Sequence, residues 1–289
     1  MGAGDPVVLL HGIPESWYCW HNQIPVLARQ FRVLAIDLKG YGQSDKRDGD
    51  YSAGEVARQV VELLDALGLH AFRLGGHDWG SAIADRIAMQ VPDRVVQYIR
   101  TCLPVATYDL RRHPQHSGYR EDPANAARLF RDADAYVRIW LETSCAPGKT
   151  PSELVIERMT EEFSYDGVAD AVARYFRDMR KNPPVDYSRL TMPVLIVTGE
   201  HDPRQPAEYF MGLDELIPGF RGVVVLDGGH FLPHETPAEL GVVMAGFYNW
   251  LLAPGCKAFD RARALGLPTM PKAPLEPASA GFSWGNAAP

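Results

Sequence analysis

Apolar residues gather along the chain in short runs, separated by stretches with a helical period. Val7-Val8-Leu9-Leu10 is a buried-strand run that leads directly into His11-Gly12. Arg32-Val33-Leu34-Ala35-Ile36-Asp37 forms a second run, and Phe72 to Gly75 a third. Between these two, Ser52 stands where a helix cap is needed, ahead of an apolar face of Val56, Val60, Val61, Leu63, Leu64 and Leu67. Pro193-Val194-Leu195-Ile196-Val197 and Gly222-Val223-Val224-Val225-Leu226 predict two later strands, and Leu240, Val243, Met244, Phe247, Trp250 and Leu251 a closing helix. Strands alternating with helices predict an α/β fold with a mostly parallel, doubly wound sheet.

The alternation stops near Pro104 and resumes near Met192. The intervening segment reads as helices rich in Arg, Asp and aromatic residues, without strand patterning. The expectation is a discontinuous sheet domain, residues 1–104 and 190–252, with a helical cap over 105–189 inserted into it. Residues 253–289 are rich in Pro and Ala with little periodicity and read as an extended tail.

With 289 residues, 46% of them apolar, a sizeable core is available. The net charge of −7 and the absence of a basic block argue against a nucleic-acid or anionic-membrane partner. No basic n-region precedes Val7, and no apolar run approaches transmembrane length. The four cysteines, Cys19, Cys102, Cys145 and Cys256, lack metal-ligand spacing. These features predict a cytoplasmic protein with reduced thiols, no metal and no dinucleotide cofactor.

Chemistry enters at Gly76-His77-Asp78-Trp79-Gly80, which follows a strand and precedes the helix-forming run Ser81 to Met89. Glycines two residues either side of a central residue suit a sharp strand-to-helix turn that lifts that side chain above the sheet. A serine there would form an acyl ester. A carboxylate instead forms an alkyl ester by attacking an sp³ carbon, which points to opening of a strained ether or displacement of halide. Such a nucleophile needs a base for the second half-reaction and an acid to orient that base. Asp202 and His230 follow the two later strands in the order required. Glu200 and Asp227 are rival acids, and Asp202 has the loop length to reach the histidine. At an unperturbed pKa of about 6.5, His230 would be a neutral base at pH 7. In His11-Gly12-Ile13-Pro14, Gly12 allows a turn that aims the Ile13 N–H into the site, and with the Trp79 N–H it would form an oxyanion hole. The Ile13–Pro14 bond is a candidate cis peptide. His11 and His77 read as structural, and Trp17 and Trp20 as core or cap-contact aromatics.

Three segments together, His11 to Trp20, Asp37-Leu38-Lys39-Gly40-Tyr41-Gly42-Gln43-Ser44 and Gly76 to Gly80, resemble the epoxide hydrolase branch of the α/β-hydrolase superfamily, over roughly residues 7 to 105 and 190 to 252. The resemblance implies hydrolysis of an epoxide to a vicinal diol without cofactor, with water as co-substrate. Epoxide hydrolases of this branch use two cap tyrosines to hydrogen-bond the ring oxygen. Tyr136-Val137-Arg138-Ile139-Trp140 resembles the segment carrying the first, which places that role on Tyr136. The second belongs to a Tyr-Arg pair, and here Phe176 stands at its place with Tyr175 one residue earlier. Val168, Val172, Tyr175, Phe176 and Met179 share a helical face, so spacing leaves three alternatives open: Tyr175 turns inward, one donor serves alone, or the donor is lost. Trp140 and Phe176 are expected to line the substrate site, and the cap aromatics suggest a bulky apolar epoxide; a homodimer is compatible with this reading.

Haloalkane and haloacetate dehalogenases share the Asp elbow, and haloalkane dehalogenases also the Trp79-Gly80-Ser81-Ala82 continuation. In a dehalogenase, Trp79 and Trp140 would hold the halide. Against it, Ile13 stands where many haloalkane dehalogenases carry Asn, and the His-Trp pair of haloacetate dehalogenases is absent from the Tyr136 segment. A non-catalytic ligand-binding protein of the same fold is a third reading, prompted by Phe176 and by the lack of the usual strand hairpin before Val7. The missing hairpin leaves the sheet shorter, unless the C-terminal tail covers that edge.

Overall fold

The computed structural model describes residues 1–103, 114–181, 183–205, 207–210, 212–249 and 269–270. Six parallel strands form the sheet: β1 (Pro6–Leu10), β2 (Arg32–Ile36), β3 (Phe72–His77), β4 (Val95–Thr101), β5 (Val194–Gly199) and β6 (Phe220–Leu226), in the spatial order β2-β1-β3-β4-β5-β6. A short seventh strand, β7 (Thr269–Met270), pairs antiparallel with β6. This pairing lies at the end of the sheet opposite β2, so these two residues of the tail do not cover the β2 edge. Met1 exchanges two main-chain hydrogen bonds with Val33 of β2 instead. The remainder of the tail expected at 253–289, and Trp250 and Leu251 of the closing helix, lie outside the described residues.

Helices cover both faces of the sheet. α1 (Gln23–Leu27) packs with α11 (Pro237–Asn249) on one face, and α2 (Ala53–Ala66) with α3 (Trp79–Gln90) on the other. Alternate side chains of a strand point to opposite faces, so Val7 and Leu9 join the first cluster while Val8 and Leu10 join the second. Every residue of β3 and β5 is buried; β5 opens on an unbroken apolar run, Val194 to Val197, while β3 also buries Arg73 and His77. Ser52 does occupy the N-cap of α2, but its side chain makes no capping bond.

β4 is the strand that hydrophobic patterning does not reveal. Its sequence, Val95-Val96-Gln97-Tyr98-Ile99-Arg100-Thr101, carries Gln97 and Arg100 in a buried strand. Both are satisfied internally. Gln97 accepts from Arg73 Nε at 3.0 Å and donates to the Phe247 carbonyl at 2.6 Å. Arg100 pairs with Asp85 of α3 at 3.1 Å, both side chains 1% exposed.

Between β4 and β5 the described residues are helical: α4 (Pro114–Glu121), α5 (Pro123–Phe130), α6 (Ala133–Ser144), α7 (Glu153–Phe163) and α8 (Val168–Asp178). They rest on loops at the C-terminal ends of the strands. Ser16 donates to Glu162 of α7, Tyr175 of α8 to the Lys39 carbonyl, and the His230 amide to the Ser144 carbonyl of α6. α9 (Leu213–Leu216) and α10 (Leu232–Glu235) complete the described helices. None of the described helices is long and apolar enough to cross a membrane.

Candidate active site

Asp78 forms the turn from β3 into α3 with φ 49° and ψ −121°, a conformation that a non-glycine residue holds only under constraint. The strain falls on Asp78 itself, and the neighbouring glycines supply room. A Cβ on Gly80 would meet the Leu10 carbonyl of β1, and one on Gly12 would lie 2.6 Å from the Asp78 Cβ. The turn is fastened from below. The Asp78 N–H donates to the Thr101 carbonyl at 3.1 Å, and its own carbonyl accepts from the Ser81 amide at 2.8 Å. The Arg100–Asp85 pair, joined by the Tyr98 hydroxyl at 2.9 Å from Asp85, locks α3 to β4.

The two oxygens of the Asp78 carboxylate are differently engaged. Oδ1 accepts the Ile13 amide at 3.1 Å, and the Trp79 amide also bonds to the carboxylate. Oδ2 lies 3.3 Å from His230 Nε2. His230 Nδ1 is in turn 2.9 Å from Asp202 Oδ2. Asp202 accepts further bonds from the Arg204 amide at 2.9 Å and from Gln205 Nε2 at 2.7 Å. His230 and Asp202 are buried, whereas the Asp78 side chain retains 15% exposure. Of the rival acids, Glu200 is exposed, and Asp227 is exposed and pairs with Lys149 at 2.8 Å.

Charge follows geometry. Burial works against an ionised Asp78, yet the hydrogen bond and charge of His230 outweigh it and hold the carboxyl well below the usual range. For Asp202 burial is likewise overcome, chiefly by the charge of His230, and its pKa is lowered. The base departs from the expectation of an ordinary imidazole. Burial disfavours the imidazolium, but the Asp202 carboxylate more than compensates, with Arg204 opposing and Asp78 adding to it, and the His230 pKa is raised to about 9. At neutral pH the site therefore rests as two carboxylates flanking an imidazolium.

The loop after β1 contains a cis Ile13–Pro14 bond and turns on Glu15, which was not singled out from the sequence. This carboxylate is buried, accepts the Gly12 amide at 3.2 Å, and has His77 Nε2 at 3.4 Å and His234 Nε2 at 3.5 Å. His11 Nε2 accepts the Leu38 amide at 3.0 Å and His77 Nδ1 meets Thr101 Oγ1 at 3.1 Å, so both rings brace the loops around the site. Trp20 is fully buried and Trp17 is 37% exposed. Cys102, Asp202 and His230 present ligand-type atoms within 4.8 Å of one another. Asp202 and His230 are already bonded to each other, and burial keeps the Cys102 thiol protonated by pushing its pKa well up.

The helical side presents tyrosines in contrasting states. Tyr136 of α6 is buried, its ring stacked on Phe163 at 5.2 Å and edge-on to Trp140 at 6.1 Å, and among the described residues its hydroxyl has no acceptor. Burial raises its pKa well above the ordinary phenol range. The Tyr175 hydroxyl is committed elsewhere: it donates to the Lys39 carbonyl at 2.8 Å while its ring packs edge-on to Trp79. Phe176 packs against Trp79 at 6.0 Å and Tyr119 at 5.1 Å. Trp140 carries the Arg204 guanidinium 4.4 Å above its ring. Arg204 and Ser144 join the site only through the fold, because a charged residue just past Asp202-Pro203 gives no sign in sequence of being buried. Tyr41, whose buried hydroxyl also lacks a partner among the described residues, is likewise found only by the fold.

The profile of the alpha/beta hydrolase fold family matches residues 5–138. The soluble epoxide hydrolase of Corynebacterium sp. (strain C12) is 30% identical over 258 residues, covering 82% of this chain and 87% of that protein. Epoxide hydrolase 4 of Mus musculus is 29% identical over 252 residues, 81% of this chain and 70% of its own length. Among solved structures, the epoxide hydrolase CorEH without ligand superposes with a TM-score of 0.77 at 28% identity, covering 86% of this chain and 93% of that one. With the sequence relatives and the solved neighbour each agreeing over more than four-fifths of its length, and the family profile over residues 5–138, the chain belongs to the α/β-hydrolase superfamily, in its epoxide hydrolase branch.

Proposed function

We propose that this protein hydrolyses an apolar epoxide to a vicinal diol through an ester on Asp78. The observation that carries the reading is the division of labour between the two oxygens of that carboxylate. Oδ2, the oxygen beside His230, attacks a ring carbon, the carbon–oxygen bond opens, and the ring oxygen takes a proton from Tyr136 as negative charge develops on it, becoming a hydroxyl and leaving Tyr136 as the phenolate. Tyr136 suits this role because its hydroxyl is buried without an acceptor among the described residues. Tyr175 is a packing residue in this scheme, since its hydroxyl already donates to the Lys39 carbonyl. Trp79, Trp140 and Phe176 line the apolar part of the site, and the helical segment, residues 105–189, acts as its cap over a core of residues 1–104 and 190–252.

In the second step water attacks the ester carbonyl carbon. Oδ1 gathers the negative charge where the Ile13 and Trp79 amides already bond to the carboxylate. A preorganised donor of this kind contributes about 3–4 kcal/mol to the barrier. His230, held by Asp202, accepts the proton from water and passes it to the departing product oxygen as the Cγ–Oδ2 bond breaks; the regenerated Asp78 carboxyl, now carrying the water oxygen, returns its proton to His230. Esterification makes this possible, because it removes one of the two anions that keep the imidazole charged, and the proton that the imidazolium sheds replaces, by way of solvent, the one that Tyr136 gave to the ring oxygen. Names among the relatives and the structural neighbour support the epoxide as electrophile.

The test is a trap. His230→Gln, mixed with styrene oxide, trans-stilbene oxide and 1-chloro- and 1-bromoalkanes, should accumulate an adduct on Asp78 equal to the whole mass of the epoxide, seen by intact mass. An adduct only from the haloalkanes, with halide released, would move the reading to dehalogenation. No adduct from any of these would count against both.

A further inference from the structure

We propose that Arg204 is a positioning residue whose fixed charge makes His230 give up its proton once Asp78 has been esterified. The inference rests on the ester mechanism above. Arg204 follows the acid by two residues, and its amide holds Asp202 Oδ1 at 2.9 Å. Its side chain then climbs from the sheet domain to α6 and is buried there. Nη2 donates to Ser144 Oγ at 2.7 Å, and the guanidinium sits 4.4 Å above the Trp140 ring. The carbonyl of the same Ser144 accepts the His230 amide at 2.8 Å. Base and guanidinium therefore hang from one residue. Among the described residues Arg204 has no ion-pair partner within 4.0 Å, and its Nη1 is buried without an acceptor.

A buried cation without a close anion is costly unless the charges around it balance. Here they do. Asp78 and Asp202 contribute two negative charges, and protonated His230 and Arg204 two positive ones, so these four groups sum to zero in the free site. Esterification of Asp78 removes one negative charge. A protonated His230 would then leave a net positive charge in the buried site, and loss of its proton restores neutrality. Without Arg204 the balance reverses, because an imidazolium paired with Asp202 is already neutral and would retain its proton.

The other groups facing His230 do not supply this bias. Asp202 and Asp78 hold the proton on. The His77 ring lies 5.3 Å away with the Glu15 carboxylate behind it. Cys102 is a thiol kept protonated by burial, and the Glu235 carboxylate takes the Gly229 and Phe231 amides at 2.7 Å. Arg204 is the permanent cation that acts on the imidazole, and it acts to lower the imidazole's proton affinity.

The experiment resolves the two half-reactions by rapid quench and intact mass, with trans-stilbene oxide, across pH 6 to 10. Arg204→Gln keeps a hydrogen-bond donor for Ser144 and removes the charge, and Arg204→Lys restores a charge. In Arg204→Gln, ester formation should stay within about threefold of wild type. Its ester hydrolysis should be about tenfold slower at pH 7, the effect of moving the midpoint up by about one pH unit, and recover at alkaline pH. Arg204→Lys should bring the midpoint back most of the way. The inference is overturned if Arg204→Gln slows both steps equally without displacing the pH profile, if its hydrolysis profile matches wild type, or if Arg204→Lys behaves as Arg204→Gln. If wild type itself forms no ester, the covalent mechanism fails and this inference with it. A normal wild-type ester with an undisplaced Arg204→Gln profile overturns only the role of Arg204.

Discussion

On the sheet side of the site Asp78, His230 and Asp202 are already bonded to one another and to their supports, whereas on the helical side the buried Tyr136 hydroxyl has no acceptor among the described residues. Asp78 is gripped by the Ile13 and Trp79 amides and by His230, and Asp202 by His230, Arg204 and Gln205. That wall rests on strand ends and on the backbone of the elbow, so its geometry is set before any substrate arrives. Across the site, an unsatisfied buried hydroxyl is a standing cost that a substrate oxygen would relieve. The difference suggests how the work is divided. The sheet side determines what bond is made, and the helical side determines which oxygen is welcomed.

This contrast can be broken by substitution. Asp78→Asn keeps the size and the hydrogen-bonding oxygen but removes the nucleophilic anion, and it should lower diol formation by at least about 10⁴-fold, in line with losses of a covalent nucleophile. Diol formation at near-normal rate would remove the elbow from the chemistry. Next in size is Tyr136→Phe. Loss of a general acid is worth about 10²–10⁴-fold, and the fall should appear in ester formation rather than in ester hydrolysis, as read by single-turnover mass measurements. The smallest change is expected for Tyr175→Phe, within about fivefold, because its hydroxyl serves Lys39. If Tyr175→Phe is the damaging variant and Tyr136→Phe is silent, the assignment of the two tyrosines is reversed.

The sequence reveals the sheet side far better than the helical side, for a physical reason. Strand ends, glycines and the order Asp78, Asp202, His230 are local features with fixed offsets, and the structure brings these three residues within bonding distance. β4 escapes because Gln97 and Arg100 are polar, and their partners Arg73, Phe247 and Asp85 lie elsewhere in the chain. Tyr175 and Phe176 share one helical face, and only the position of the Lys39 carbonyl decides where the Tyr175 hydroxyl goes. The state of His230 is equally invisible along the chain. Its pKa is raised by two carboxylates against the opposition of burial and a guanidinium, groups assembled from separate loops.

The central claim is that an oxygen of Asp78, and not one from water, enters the product first. A single turnover of excess wild-type enzyme with trans-stilbene oxide in H₂¹⁸O tests it most directly. The diol from that turnover should carry no ¹⁸O, and the peptide containing Asp78 should gain about 2 Da as water replaces the lost carboxylate oxygen. Diol labelled in the first turnover, with an unlabelled Asp78 peptide, would mean that water attacks the epoxide directly and would contradict the account.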